Sequence, residues 1–247
     1  MTKIIICGSS GFIGSYLFEH LSKQFKVEGE DIKMGKLYDI AREGYPIKQY
    51  DIIINCAAEL FNIEDMIHTN VLGVDNLARY CKKRNTKLIH FSSVSIYGKS
   101  YYGLSKKMGE DIIRFWDPKG WCILRMTNVY SNQKEYEGGD SPANRFQRGE
   151  TEIFGNGLHE KDHLHIRDVL SAVELTIQDN WYGEVNLASG TNLSMNDIFA
   201  RLGMGKAIYL KDKKVDMVES KLDNSEALSL GWKPTWDLKD VWEVEEE

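Results

Sequence analysis

Apolar and polar positions follow two periods along the first half of the chain. Short apolar runs, the first two rich in β-branched residues, predict buried strands at 3–7, 51–55, 87–91 and 121–125. Apolar residues at helical spacing predict helices over 12–24, 65–84 and 102–116. Strands that alternate with helices in this way favour an α/β fold with a parallel sheet covered by helices on both faces.

The second half of the chain has a different rhythm. Residues 131–160 are rich in Gly, Asn, Glu and Ser and predict loops. Helices near 167–178 and 194–202 and a strand at 184–187 follow. We therefore expect a main domain over 1–130 and a smaller lobe over 131–247, with some elements of the second half returning to the sheet.

Composition narrows the classes of partner. The net charge of −6 disfavours nucleic acid, because such a surface repels phosphate backbones. No apolar run approaches the ~20 residues of a membrane span, so we expect no membrane partner. The four cysteines are far apart and form no CxxC pair, which predicts reduced, buried thiols and a cytoplasmic protein.

A glycine-rich turn lies between the first predicted strand and the first predicted helix. Its sequence is GSSGFIG, over residues 8–14. Glycines in this context allow a tight turn and a close approach of backbone N–H groups to a pyrophosphate at a helix N terminus. The turn predicts a dinucleotide site whose contacts are Gly8, Ser10, Gly11, Phe12, Ile13 and Gly14. The alternative is a glycine turn used only for packing.

An acidic residue about 20 positions after such a turn binds the adenosine ribose in dinucleotide folds. Glu28, Glu30 and Asp31 fall in this zone, and we expect Asp31 to be the contact. A carboxylate there repels the extra phosphate of NADP and favours NAD, whereas Lys33 and Lys36 could reverse that preference. The cofactor predicted is therefore NAD(P)(H), with a lean to NAD.

A YxxxK sequence opens the helix predicted at 102–116. Tyr102 and Lys106 are one turn apart and can face the same site. An ammonium beside a phenol lowers the pKa of the phenol, so Tyr102 could act as a general base or acid. Ser93 follows the preceding strand and could hydrogen-bond the same reacting oxygen. These three residues are the predicted catalytic set.

Taken together, the chain resembles the extended short-chain dehydrogenase/reductase family, which includes nucleotide-sugar 4-epimerases and 4-ketoreductases. The resemblance is carried by GSSGFIG, NCAA at 55–58, TNVLGV at 69–74, FSSVSIYG at 91–98, YGLSK at 102–106, LRMTNVY at 124–130, KDHLHIRDV at 161–169, EVNLASG at 184–190 and LGWKPTWDL at 230–238. It implies a Rossmann-like doubly wound parallel sheet with a small C-terminal substrate-binding lobe. The reaction implied is hydride transfer at C4 of a nucleotide-activated sugar.

The resemblance also assigns roles to single residues. It implies cofactor contacts at Asp39, Ile40, Cys56, Ala57, Ala58 and Asn70, in addition to Tyr102 and Lys106. It implies substrate contacts at Ser93, Asn128, Arg145, Lys161 and Arg167, where Lys161 replaces an arginine that relatives place on the diphosphate. It further implies a homodimer through the helices at 65–84 and 102–116.

Several alternatives stay open at this stage. The connection between Ser93 and Tyr102 is short, which weakens inference about the sugar, and sequence does not separate an epimerase from a reductase. Dehydratases of the family carry an Asp-Glu pair after the serine, whereas Val94 and Ser95 follow it here. A regulator that binds NAD(P) without catalysis usually lacks the tyrosine or lysine. A small-alcohol or steroid reductase would not need the segments at 161–169 and 230–238.

Residues 159–163 spell HExxH, a zinc-protease pattern. That chemistry needs both histidines one turn apart on a helix. The glycines at 155 and 157 disfavour a helix, and residues 163–166 alternate as in a strand. We therefore expect a strand here and no metal.

Overall fold

The structure is a computed structural model that describes residues 1–35, 39–46, 48–131, 141–202, 205–211, 222–236 and 238. The strands, in chain order, are β1 Lys3–Cys7, β2 Lys26–Glu30, β3 Ile52–Asn55, β4 Lys87–Ser93, β5 Cys122–Met126, β6 Asn128–Tyr130, β7 Glu152–Phe154, β8 Glu160–His165, β9 Gly183–Leu187, β10 Asn192–Ser194 and β11 Ile208–Leu210. The helices are α1 Phe12–Leu21, α2 Ile63–Met66, α3 Val74–Arg84, α4 Tyr101–Trp116, α5 Pro142–Gln147, α6 Ile166–Gln178, α7 Met195–Leu202 and α8 Ser225–Ser229.

A six-stranded sheet has the order β2-β1-β3-β4-β5-β9. The pairs β1–β2, β1–β3 and β3–β4 are parallel. This arrangement confirms the predicted α/β fold with a parallel central sheet. Because the carboxyl ends of parallel strands lie at one edge, the residues that follow β1, β3 and β4 are brought to the same edge.

The chain divides into two compact units. The first comprises Met1–Arg125 and Val173–Val185, and the second comprises Met126–Ala172 and Asn186–Glu247. In the first unit, alternate strand residues pack against α3 and α4; they are represented by Ile5, Ile53, Leu88 and Ile123, each 1% exposed or less. Burying each of these side chains contributes about 1.5–3 kcal/mol.

The second unit is built from smaller sheets. β8 pairs with β10 antiparallel and with β6 parallel, and β7 pairs with β11 parallel. Its core joins α5 to α7, where the rings of Phe146 and Phe199 meet edge to face at 5.1 Å. The prediction of loops over 131–160 is wrong for 142–147 and 152–154, because tertiary contacts form α5 and β7 there. Residues 132–140 lie outside the described residues.

One predicted helix has an internal irregularity. The segment predicted at 65–84 is helical from Ile63 to Arg84, but its middle, Ile67–Gly73, is a π-helix. Such π-helical turns insert an extra residue and are frequent at functional sites. Asn70 lies within it. Across the described residues, no helix combines the length and the apolar content that a bilayer crossing requires.

Candidate active site

The glycine turn after β1 has a backbone that only glycine accommodates. Gly8 has φ +81°, and a Cβ atom built there would lie 2.7 Å from the backbone nitrogen of Ala57. A Cβ at Gly14 would overlap the carbonyl oxygen of Gly8. These two glycines let the turn, the start of α1 and the segment after β3 pack directly on one another.

Gly11 has a different role in the same turn. It is the exposed N-cap residue of α1, and no side chain caps this helix. A Cβ at Gly11 would meet only the Gly8 carbonyl oxygen, at 3.2 Å. The first N–H groups of α1 therefore have no capping side chain at the positive end of the helix dipole. This cradle fits the pyrophosphate of a dinucleotide such as NAD.

Two carboxylates stand at the end of β2. Asp31 is 9% exposed and accepts the backbone N–H groups of Ser10 at 3.2 Å and Lys33 at 3.0 Å. Glu30 accepts a 2.5 Å hydrogen bond from the phenol of Tyr45. Asp31 therefore connects the end of β2 to the glycine turn. A 2′-phosphate would meet negative charge here, so the site fits NAD better than NADP.

Asp39 and Ile40, the cofactor contacts expected from the resemblance, lie between β2 and β3. The carboxylate of Asp39 accepts the backbone N–H of Ala41 at 2.9 Å and lies 3.6 Å from the imidazole of His68. Ile40 is 5% exposed and belongs to the core of the first unit, where it packs against Gly73. Their part in cofactor binding remains a prediction.

Residues 55–58 follow β3 at the same edge of the sheet. The side chain of Asn55 accepts the backbone N–H of Ala57 at 3.1 Å, and the backbone N–H of Cys56 donates to Cys7 at 2.9 Å. Burial raises the pKa of the Cys56 thiol, so it stays protonated and is no nucleophile. Contacts of Cys56, Ala57 and Ala58 with a cofactor remain predictions.

Asn70 connects this segment to α4. Its amide nitrogen donates to the carbonyl of Glu59 at 2.8 Å and to the hydroxyl of Ser105 at 2.9 Å, and its amide oxygen accepts the Glu59 N–H at 2.9 Å. Both donor hydrogens are thus used within the protein. Asn70 is therefore a structural residue here, and its predicted contact with the cofactor would have to go through the amide oxygen.

The close approach of α4 to the end of β4 brings Ser93 and Tyr102 together. Ser93 ends β4 and caps a short 3₁₀ helix over Val94–Tyr97, and its hydroxyl donates to Ser95 Oγ at 3.1 Å. Tyr102 lies in the first turn of α4. A Cβ atom at Gly103 would overlap the carbonyl oxygen of Ser95. This glycine lets the short connection, noted in the sequence, keep the serine beside the tyrosine.

The electrostatics of this group are set mainly by burial. Burial raises the pKa of Tyr102 to about 12, and a side-chain hydrogen bond with Ser93 acts in the lowering direction. Burial lowers the pKa of Lys106 to about 8, while the charge of Glu110 and the Cys56 thiol act in the raising direction. Added positive charge nearby would stabilise the phenolate of Tyr102.

Apart from Ser93, the four expected substrate residues lie in the second unit. Asn128 donates to the carbonyl of Asp162 at 3.0 Å. Arg145 forms a 2.7 Å ion pair with Glu150. Arg167 is exposed, with its guanidinium 4.6 Å from the ring centre of Trp236.

Lys161, the fourth expected substrate residue, is half-buried on β8. Burial lowers the pKa of its ammonium. Among the described residues no carboxylate lies within ion-pair distance of it. It therefore has the properties of a cation that binds an anionic ligand.

The HExxH segment is not helical, and all of it except His159 lies in a strand. Residues Glu160–His165 form β8, so the strand expected over 163–166 is present up to His165, and Ile166 begins α6. The described ranges contain no group of three or more His, Cys, Asp or Glu side chains placed to hold a metal ion. His163 donates from Nδ1 to the carbonyl of Lys161 at 3.2 Å, and burial lowers its pKa to about 4.

Two buried residues beside the catalytic set were not singled out from the sequence. Glu110 is 1% exposed and receives hydrogen bonds from Ser92, Arg114 and Arg125. His90 is 1% exposed on β4. One sequence signal was available for each residue. Glu110 is a charged residue four positions after Lys106, and His90 is a histidine inside an apolar strand.

A dinucleotide-dependent enzyme is the class of protein that this unit defines. It combines a parallel sheet, an uncapped helix after a glycine turn, and a serine, a tyrosine and a lysine. A family model described as NAD dependent epimerase/dehydratase family matches residues 4–188. The chain belongs to this family. The predictions of the family, of the enzyme class and of NAD as the cofactor are confirmed.

Individual relatives cover most of the chain. A putative UDP-glucose 4-epimerase of Methanocaldococcus jannaschii is 27% identical over 96% of this chain and 95% of its own length. An N-acetyl-α-D-glucosaminyl-diphospho-ditrans,octacis-undecaprenol 4-epimerase of Escherichia coli is 24% identical over 81% and 71%. The structure of a UDP-glucuronic acid 4-epimerase variant from Bacillus cereus, solved with a fluorinated UDP-sugar and NAD, has a TM-score of 0.85 at 23% identity, covering 98% and 97%.

Proposed function

We propose that this protein is a 4-epimerase that inverts C4 of a nucleotide-activated sugar with NAD as its cofactor. The observation that carries the proposal is the hydrogen bond between Ser93 and Tyr102 where α4 meets the end of β4, with Lys106 one turn further along α4. The same unit holds the uncapped N terminus of α1, which fits the cofactor. Two relatives, which cover 96% and 81% of this chain, are named as 4-epimerases.

The three side chains divide the work of proton transfer. Tyr102 accepts the proton of the C4 hydroxyl as general base and later returns it to the same oxygen. Ser93, once its hydroxyl turns from Ser95 Oγ to the substrate, donates a hydrogen bond to that oxygen and so orients it. Lys106, when protonated, stabilises the phenolate of Tyr102. When bound, NAD would supply the acceptor for the C4 hydride, which would have to return to the opposite face of C4 for the configuration to invert.

The residues after Ser93 favour epimerisation over dehydration. Val94 is 9% exposed and apolar, and the hydroxyl of Ser95 is hydrogen-bonded to Ser93. Neither offers the carboxyl acid and base that removal of water from the sugar requires. C4 redox chemistry remains as the reaction that this set of side chains supports.

We assign the diphosphate of the substrate to Lys161. Its half-buried ammonium has a pKa lowered by burial and no carboxylate partner among the described side chains. A diphosphate would compensate this charge and raise the pKa again. Asn128, Arg145 and Arg167 are further proposed contacts, of which Arg167 is held over Trp236 and Arg145 would first have to leave Glu150.

We further propose that the protein is a homodimer. Exposed apolar side chains form a stripe along α4 at helical spacing, namely Tyr101, Leu104, Met108 and Phe115. The helical segment before α3 exposes Ile63, Ile67 and Leu72. A second copy of the same helices would cover both sets. The four free cysteine thiols support a reducing, cytoplasmic setting.

A single substitution tests the dimer. We expect the wild type to run as a dimer in size-exclusion chromatography with light scattering, and Leu104→Glu to run as a monomer that still binds NAD. Leu158→Glu places the same charge on an exposed leucine of the second unit and should leave the dimer intact. A monomeric wild type, or a dimeric Leu104→Glu variant, would contradict the proposal.

The reaction is tested with substrates labelled by deuterium at C4. The purified protein with NAD is incubated with a panel of UDP- and dTDP-activated hexoses, and products are identified by NMR. An epimerase gives the C4 epimer, keeps the deuterium at C4 and consumes no cofactor. Stoichiometric formation of reduced cofactor that carries the C4 deuterium, together with a 4-keto sugar, would indicate a reductase working in reverse, and a 4-keto-6-deoxy product a dehydratase. NAD binding without turnover of any substrate would favour a regulator.

A further inference from the structure

His90 is a buried titratable residue that the proposed reaction does not use. It lies on β4, three residues before Ser93, and is the register partner of Asn55 on β3. Its Nδ1 atom is 3.2 Å from Asn55 Nδ2, and its Nε2 atom is 3.5 Å from Lys106 Nζ. The three residues are 1%, 1% and 3% exposed, so the imidazole bridges the amide and the lysine out of contact with water.

The Asn55 amide determines which ring nitrogen carries the proton. The backbone N–H of Ala57 donates to Asn55 Oδ1 at 3.1 Å, so the amide NH₂ group faces His90. Because an NH₂ group only donates, Nδ1 must be the acceptor and carries no proton. Burial and the nearby Lys106 hold the pKa of His90 well below its usual value, so the ring is neutral. Its one N–H is therefore at Nε2.

This N–H points at Lys106. It can donate to the lone pair of a neutral amine, whereas it meets the N–H groups of an ammonium with unfavourable electrostatics. Of the other titratable groups nearby, Glu110 lies one turn after Lys106 on α4, Tyr102 lies one turn before it, and Cys56 follows β3. Glu110 and Cys56 favour the ammonium. His90 thus opposes them.

We propose that His90 is a positioning residue whose Nε2–H favours the neutral form of Lys106 and so sets the pH range in which the Tyr102–Lys106 pair works. The kinetic consequence rests on the proposed function. The reactive pair is phenolate with ammonium, which has one proton fewer than phenol with ammonium. Because Lys106 titrates below Tyr102, activity rises with pH only until Lys106 loses its proton, and then levels off. A higher pKa of Lys106 shifts the start of this plateau to higher pH and raises the activity reached at the plateau.

The tautomer is tested by NMR on the cofactor-free protein, so this part does not depend on the reaction. The ring ¹⁵N signals of His90, assigned by their loss in His90→Phe, should show a proton at Nε2 across the neutral pH range. The isosteric change Asn55→Asp should move the proton to Nδ1, because a carboxylate only accepts. A proton at Nδ1 in the wild type, or a ring that becomes charged near its ordinary pKa, would overturn the proposal.

The effect on Lys106 is tested by titrating its ¹³Cε signal, assigned with Lys106→Met. We expect its pKa to rise in His90→Phe, and by about 1 or more in Asn55→Asp, where the Nε2 lone pair now faces the ammonium. In the double variant that combines Asn55→Asp with His90→Phe, the shift in the pKa of Lys106 caused by Asn55→Asp should shrink, because no imidazole is present to change its tautomer. Equal shifts with and without the ring, or none, would overturn the proposal. In the active holoenzyme the pH at which kcat levels off should move with the pKa; loss of kcat at every pH without such movement would mean that His90 only packs.

Discussion

Glu110 combines full burial with a dense set of charged partners, and its neutralisation should destabilise the protein strongly. Its Oε1 atom accepts from Ser92 Oγ at 2.6 Å and Arg125 Nε at 2.9 Å. Its Oε2 atom accepts from Arg125 Nη2 and Arg114 Nη2, both at 2.7 Å. Glu110→Gln keeps the shape of the side chain but removes its charge and turns one acceptor into a donor that faces a guanidinium.

The expected loss can be bounded from these contacts. Four hydrogen bonds to a charged group, at about 1.5–3 kcal/mol each, would exceed the ~3–5 kcal/mol typical of breaking a buried ion pair. Gln retains one acceptor oxygen, and Arg114 keeps its ion pairs with Asp111 and Glu184. We therefore expect Glu110→Gln to lower the free energy of unfolding by about 3 kcal/mol at neutral pH. For a chain of this length that lowers Tm by about 6–12 °C.

The neighbouring carboxylate provides a matched control. Asp111 also pairs with Arg114, at 2.6 Å, but its side chain is 63% exposed. Asp111→Asn should cost no more than about 0.5 kcal/mol, because solvent screens the exposed pair. Both variants are measured by urea and thermal unfolding. If the free energies of unfolding of Glu110→Gln and Asp111→Asn lie within about 1 kcal/mol of each other, the reasoning about burial is refuted.

The pH dependence gives a second check on Glu110. Burial alone would raise its pKa, but hydrogen bonds from Arg125 and Ser92 and the charges of Arg125 and Arg114 lower it overall. A carboxyl with a lowered folded-state pKa stabilises the protein above its unfolded pKa, and this stabilisation is lost as pH falls through the folded value. The difference in free energy of unfolding between the wild type and Glu110→Gln should therefore be largest at neutral pH and should decrease below about pH 4.

Three further outcomes follow from the site. Tyr102→Phe should lower kcat at least about 10²–10⁴-fold while NAD still binds, measured by turnover and by calorimetry, and full activity would reject the mechanism. Gly14→Ala should disrupt the turn through the clash with the Gly8 carbonyl and abolish NAD binding, whereas Gly11→Ala should fold and only weaken it, as compared by thermal unfolding and NAD titration. Lys161→Met should raise KM for the nucleotide sugar about 10–100-fold with little change in kcat, and an unchanged KM would remove it from the diphosphate site.

The sequence alone was sufficient wherever the signal was local. The apolar run Lys3–Cys7, the glycines that follow it and the YxxxK spacing each act over a few residues, because strand burial, turn geometry and helix faces are short-range properties. These signals predicted the parallel sheet, the NAD-dependent family and the catalytic candidates Ser93, Tyr102 and Lys106. The sequence also shows directly that the acidic residue a dehydratase needs after Ser93 is absent, because Val94 and Ser95 stand there.

Other features depended on residues far apart in the chain. α5 is short and polar in sequence, and forms where Phe146 meets Phe199 of α7; β7 forms where Glu152–Phe154 pairs with β11. The tautomer of His90 follows from the register that places it opposite Asn55, and no local pattern encodes that register. The lowered pKa of Lys106 follows from burial. Tertiary structure decided these points because desolvation and hydrogen-bond partners exist only once distant segments have packed together.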